Sequence, residues 1–302
     1  MTLRFAAALV LSGIALVGCD QSAPELVLER VVEGVVVHPA DMQPVAGGFL
    51  VAQLFAKELV RLDGNLEPIN GAPAAMDTVK SPHFLAEHPK FGILVSDGWG
   101  RYVYSLLHEQ WSRNQNAPDS RLHAPHGVCV DDKGRIVVAD SLHSRLVRMQ
   151  NMDSGEWEIF ADNAKKVSYG RQLECLDDGL WLANSYENRD GLNPGRGGNI
   201  LRIANFESGE VEVLASFEHS NITGFARLNR DWIVVGMFRT GELFLQNVKT
   251  GENSYLHRPG SEFRTPYGMH FDKLAGKLYI CFLGDIHKHR HNGGIAVYSV
   301  KL

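Results

Sequence analysis

The stretch from Pro125 to Gln150, PHGVCVDDKGRIVVADSLHSRLVRMQ, constrains the chain more than any other. Val128, Cys129 and Val130 form a short apolar run that ends in a turn, Asp131-Asp132-Lys133-Gly134. A second run, 136–139, closes on Asp140-Ser141, a third covers 145–149, and a fourth follows at 157–160. Short β-branched runs punctuated by Asp and Gly are the pattern of consecutive antiparallel strands. A unit of this kind cannot bury both of its faces alone, so it implies neighbours of the same build.

The stretch resembles an NHL repeat, the blade of a family of β-propellers, through Pro125, Gly127, Val128, Asp131, Gly134, Ile136, Val137, Ala139, Asp140, Ser141 and Arg145. On this template the chain divides six times, at intervals of about 45 residues, the spacing of four-stranded propeller blades. The last unit ends at Leu302, just after its third strand, while an unassigned strand-like segment, 26–32, precedes the first. The expected fold is therefore an all-β, six-bladed propeller of four-stranded antiparallel blades, closed by residues 26–32 as the outer strand of the last blade. Closing the ring removes long exposed edges. The 302-residue length suits one large all-β domain, and a net charge of −5 with no basic block argues against a nucleic-acid surface.

Residues 1–18 read as a targeting segment. Arg4 is followed by an apolar run at 5–17, shorter than the ~20 residues a membrane-spanning helix needs. Leu16-Val17-Gly18-Cys19 resembles a bacterial lipobox, which implies cleavage before Cys19 and acylation of that residue. Multiple acyl chains anchor stably. The resemblance, with Asp20 next, implies a protein tethered by residues 19–25 to the periplasmic side of the inner membrane, with the outer membrane as the alternative. Cys129, Cys175 and Cys281 remain. Their apolar strand contexts predict buried thiols acting as small apolar side chains rather than disulfides, and their odd number leaves at least one free.

The repeat phase also predicts a site. The start of each inner strand, the end of the second strand and the loop after it share one mouth of the central channel. One predicted ring holds His83, His126, Gln172, Thr223 and Tyr267, with His38 or Pro39 in blade 1; a second holds Gln53, Asp97, Asp140, Asn184, Gly236 and Phe282. The interval from His83 to Asp97 equals that from His126 to Asp140. One reading is a metal centre, with His38, His83 and His126 holding a divalent ion, Zn²⁺ or Ca²⁺. Another is a general-base pair in which Asp97 and Asp140 orient His83 and His126. In the third, the Asp residues cap their own turns and the His residues fill a polar channel.

Arg171, Gln172, Asn184, Tyr267 and Gln53 are expected ligand contacts. Two long loops, 185–198 and 283–294, leave the same mouth, so Arg189, Asp190, His287, His289 and His291 are candidate lid residues. The chain is broadly similar to the peptide-amidating lyase and SMP-30/gluconolactonase propellers, and to the seven-bladed streptogramin lyases. No catalytic set transfers whole: His126 stands where the SMP-30 group's Asn-Gly turn is expected. The expected function is recognition of a small molecule, metal or envelope protein at the mouth by a monomer. The alternatives are a metal-dependent hydrolase or lyase using the same residues, and an assembly scaffold.

Overall fold

The computed structural model describes residues 22–69, 79–108, 110–114, 122–152, 157–186, 197–218, 220–238, 240–256, 260, 263–285 and 293–302. β1 (Glu25–Glu33) comes first. Blade 1 holds β2 (Pro39–Val45), β3 (Gly48–Gln53) and β4 (Glu58–Asp63); blade 2 holds β5 (Pro82–His88), β6 (Gly92–Asp97), β7 (Tyr102–Leu107) and β8 (Gln110–Arg113). Blade 3 holds β9 (Pro125–Val130), β10 (Ile136–Asp140), β11 (Arg145–Met149) and β12 (Trp157–Asp162). Blade 4 holds β13 (Tyr169–Leu176), β14 (Gly179–Ser185), β15 (Gly198–Ile203) and β16 (Glu212–Phe217). Blade 5 holds β17 (Ile222–Arg227), β18 (Trp232–Met237), β19 (Leu243–Asn247) and β20 (Asn253–Leu256), and blade 6 holds β21 (Pro266–Asp272), β22 (Lys277–Phe282) and β23 (Gly294–Lys301).

The sheets are antiparallel meanders, and β1 pairs with β23 to complete blade 6, as the leftover segment predicts. Among the described residues blade 1 has three strands, with a Leu62–Pro68 bridge beside β4. Packing closes the ring as well. Val36, Met42 and Val51 of the first blade region form one apolar cluster with Tyr279, Cys281, Ile295 and Val297 of blade 6. Similar clusters join the other neighbouring blades, so the core lies between sheets. At ~1.5–3 kcal/mol for each fully buried aliphatic side chain, these interfaces outweigh the exposed ion pairs Glu25–Lys301 and Glu29–Lys277 along β1.

One irregularity recurs in all six inner strands. Pro125 faces Asp140, but Val128 faces Val138, so β9 carries one extra residue near its start. The same shift occurs in β2, β5, β13, β17 and β21. A β-bulge re-aims the extra side chain, and here it does so at the same level in every blade. The equivalent residues after Pro39, Pro82, Pro125, Gly170, Ile222 and Pro266 are Ala40, His83, His126, Arg171, Thr223 and Tyr267. The predicted ring is corrected at two places. Arg171, not Gln172, holds the blade 4 position, because Gly170 stands where blades 1, 2, 3 and 6 carry the Pro that marks the phase. Ala40, not His38 or Pro39, holds blade 1.

The cysteine expectation is also corrected. Cys129 and Cys175 form a disulfide with a Cα–Cα distance of 5.6 Å, joining the inner strands of blades 3 and 4, while Cys281 is a buried free thiol. The two residues lie far apart in sequence, so only blade stacking brings them together. The sequence separation of 46 corresponds to about 4 kcal/mol of loop-closure stabilisation in the chain-entropy account. Replacing Cys175 by Ser should lower the unfolding free energy by up to that amount, and the urea midpoint with it. Urea titration of the variant and of the wild type with and without reductant checks this; equal midpoints would contradict it.

Candidate functional site

Side chains from several inner strands gather at the mouth. The His83 and His126 rings meet edge to face, with centroids 4.3 Å apart. They line a cavity of about 290 Å³ with Gly98, Trp99, Arg101, His123, Ala124, Leu142 and Tyr169. Gly98 is required there, since a Cβ would lie 2.5 Å from the His83 ring. Outside the lining of that cavity, the Arg171 guanidinium lies 4.7 Å from the Tyr169 ring centre and 4.9 Å from that of Phe238. Arg171 donates to the Tyr267 hydroxyl at 3.5 Å, and the Tyr267 ring stacks on Phe84 at 5.2 Å.

Hydrogen bonds set the tautomer of both histidines. His83 Nδ1–H donates to the Ser81 carbonyl at 2.7 Å. The Ser141 hydroxyl donates its one proton to the Gly170 carbonyl at 2.5 Å, so it accepts from His126 Nδ1–H at 2.8 Å, beside the Ala124 carbonyl at 3.0 Å. With each Nδ1 protonated, each Nε2 keeps its lone pair. No described residue hydrogen-bonds either Nε2.

Burial keeps these rings neutral. Desolvation lowers the His83 pKa to about 4, with Arg171 adding to the effect. Desolvation, then His83, then Arg171, hold His126 well below its ordinary value. In the unfolded chain both take up a proton near pH 6.5. Below that value the unfolded state binds more protons, so stability present above pH 6.5 is lost as pH falls towards 4. For His83 the loss is on the order of 3 kcal/mol. His83→Gln should flatten the fall between pH 6.5 and 4, read from urea midpoints; an unchanged slope would remove the argument.

The predicted acidic partners lie elsewhere. Asp97 accepts from the backbone N–H groups of Lys80, Ser81 and Gly100. Asp140 accepts from the His123 N–H, His143 and Arg145. Neither carboxylate bonds His83 or His126, so the general-base pairs do not form; each carboxylate satisfies otherwise orphaned loop N–H groups instead. Asn184 accepts from Ser168 N–H, and Gln53 from Val37 N–H, at the same position of their blades. These two expected ligand contacts are caps as well.

His38 does not join the other two histidines. Its Nδ1 bonds the Leu283 carbonyl and its ring packs edge-on to Phe55, 5.1 Å away. Among the described residues no three His, Cys, Asp or Glu side chains surround a common point. Gln172 points deeper, where it bonds Glu174, both backbone groups of Met269 and the Phe225 N–H. Tyr267 is buried, with its ring centre 6.1 Å from that of His83, and does not line the mouth cavity. The lid candidates Arg189, Asp190, His287, His289 and His291, and the lipidation candidate Cys19, lie outside the described residues. Trp99, Arg101, His123 and Leu142 were missed, although the rule that second-to-third strand loops open on the mouth includes three of them.

Gln172, with the Phe84–Tyr267 stack, separates this mouth from a second cavity. That cavity, about 650 Å³, sits among the inner hairpin turns at the opposite end and includes Asp41, Glu174, Asp178, Arg227 and His270. Burial raises the pKa of Glu174 to about 7, against the opposing Gln172 bond, and pushes Asp41 well up. The unfolded chain releases the Glu174 proton near 4.5, so its cost is absent at acid pH and grows from there to about pH 7. Glu174→Gln should therefore raise the melting temperature at pH 8 but not at pH 4. A gain of equal size at both pH values would show that its charge is not responsible.

A family model for the NHL repeat matches residues 122–149, the blade 3 hairpins. No curated protein sequence matches the chain. Among solved structures, streptogramin B lyase superposes with a TM-score of 0.59 at 15% identity, over 91% of this chain and 98% of that one. A catalytically inactive virginiamycin B lyase from Staphylococcus aureus, determined with Quinupristin, gives 0.56 at 14% identity, over 91% and 99%. The PQQ-bound aldose sugar dehydrogenase from Streptomyces coelicolor gives 0.64 at 12% identity, over 93% and 99%. At these identities the likeness is one of fold.

Proposed function

We propose that this six-bladed, NHL-repeat-bearing propeller is a binding protein of the bacterial envelope. It is tethered through Cys19 and captures a small ligand at the His83–His126 mouth. The observation that carries this reading is the pair of neutral imidazoles on adjacent blades, both with Nδ1 committed and Nε2 left with its lone pair beside a cavity. Such a floor accepts and does not donate. It suits a ligand bringing hydroxyl, amine or amide donors, or a borderline metal ion. Trp99, 65% exposed at the lip, offers a flat apolar surface for the same ligand. A histidine of pKa about 4 is a poor general base near neutrality, which favours hydrogen-bond acceptance or ligation over proton abstraction.

A metal-dependent hydrolase or lyase is the second reading. One observation favours it: Nδ1–H bonded to a backbone carbonyl is how metal-ligating histidines are commonly oriented. His83 and His126 would hold the ion through Nε2, and nitrogen donors suit Zn²⁺ but not Ca²⁺, which takes oxygen ligands. Bound Zn²⁺ supplies Lewis-acid activation of a carbonyl or water. Arg171, whose charge reaches both rings, would contribute positive potential towards developing negative charge. The test titrates Zn²⁺ and, separately, a panel of hydroxylated and amine fragments, following the histidine ring nitrogens by NMR. Binding by either class at His83 and His126 should fall at least tenfold in His83→Ala and His126→Ala proteins that still melt cooperatively. Trp99→Ala should weaken fragments but not Zn²⁺. Silence of both rings towards every probe would overturn the site.

A further inference from the structure

The position of β1 determines which way a tethered molecule faces. Its last residue, Glu33, pairs with Gly294, which pairs with Phe282, itself opposite Pro266 at the mouth. Its first residue, Glu25, pairs with Lys301, next to the level of the Asp272–Lys277 hairpin at the other end. The chain therefore enters the propeller on the face opposite His83 and His126. From Cys19 to Glu25 the tether can reach at most ~20 Å, at ~3.3–3.6 Å per residue. To bring the mouth to the bilayer it would have to run back along all of β1, ~26 Å at ~3.3 Å per step. It is too short.

We infer that the face bearing the larger cavity is the membrane-proximal one and that the His83–His126 mouth opens away from the bilayer. This rests on the tethering of Cys19 proposed above. The corner from which the tether leaves fits that placement. The adjacent hairpin carries Lys273 and a fully exposed Leu274, a cation and an apolar side chain suited to an anionic lipid surface. The mouth then draws its ligand from the aqueous compartment rather than from lipids of the anchoring membrane. The cavity containing Asp41 and Glu174 faces the headgroups.

The test uses the full chain, processed in a bacterial host and reconstituted in phosphatidylethanolamine–phosphatidylglycerol vesicles containing a headgroup-labelled acceptor lipid. A donor dye is placed on Leu274→Cys or on Thr240→Cys, an exposed position between β18 and β19 at the mouth. Cys281 is buried and Cys129 and Cys175 are bonded to each other, so labelling is selective. Energy transfer to lipid should be at least twofold greater from position 274 than from 240. Equal transfer, or more from 240, in acylated protein would overturn the orientation. Acylation is measured separately, by fatty-acid labelling that Cys19→Ala abolishes. Absence of label in the wild type would instead overturn the tether on which the orientation rests.

Discussion

A side-chain acceptor at the end of each of four second strands holds the loop that leads into the inner strand. Gln53, Asp97, Asp140 and Asn184 each take the N–H two residues before the inner-strand residue they pair with, Pro39, Pro82, Pro125 and Gly170. A buried loop N–H without a partner costs about 1–3 kcal/mol, so these bonds fix where each inner strand begins. A backbone bond in the reverse direction, such as Leu54 to His38 or Ser141 to Ala124, completes the link. Blades 5 and 6 lack the side-chain half and keep the backbone half, through Phe238 to Asn221 and Leu283 to Thr265. With the start of the strand held, the bulge that follows turns one residue per blade to a common level. The polar mouth is a consequence of that repeated fixing.

The cavities at the two ends of the propeller share no lining residue, and the two ends differ in chemistry. Gln172 crosses to blades 5 and 6, and at Gly224 a Cβ would stand 1.8 Å from the Tyr267 carbonyl. That close approach packs the inner strands of blades 5 and 6 against each other. Desolvation then acts in opposite senses on the two kinds of group. It lowers the pKa of the imidazoles at the mouth and raises that of the Asp41 and Glu174 carboxyls at the far end. In both places it disfavours the charged form of the group.

The strands, the blade count and the closing strand were legible because apolar runs and Asp/Gly turns recur at a steady interval. The histidine pair was legible for the same reason, since Pro82 and Pro125 mark the same phase. Blade 4 was misphased because it has Gly170 in place of that proline, and one residue of slip exchanged Arg171 for Gln172. Capping by Asp97 and Asp140 was legible as one of three roles and is the one the structure bears out, but spacing alone did not select it. A carboxylate near a histidine in phase is equally placed to cap a loop, and hydrogen-bond direction does not appear in spacing. The Cys129–Cys175 bond was hidden because each cysteine sits in an ordinary apolar strand.

By itself the sequence determined a repeat, and through it the antiparallel blades, the ring and the end of the channel at which polar residues gather. Local pattern is enough for that, because strand period and turn chemistry act over a few residues. Only the tertiary structure decided which polar groups serve the frame and which are left facing a cavity. That choice depends on burial and on partners from other blades. The Ser81 and Gly170 carbonyls, Arg171 and the desolvating walls made His83 and His126 neutral acceptors, and none of these effects is a property of the two histidines alone.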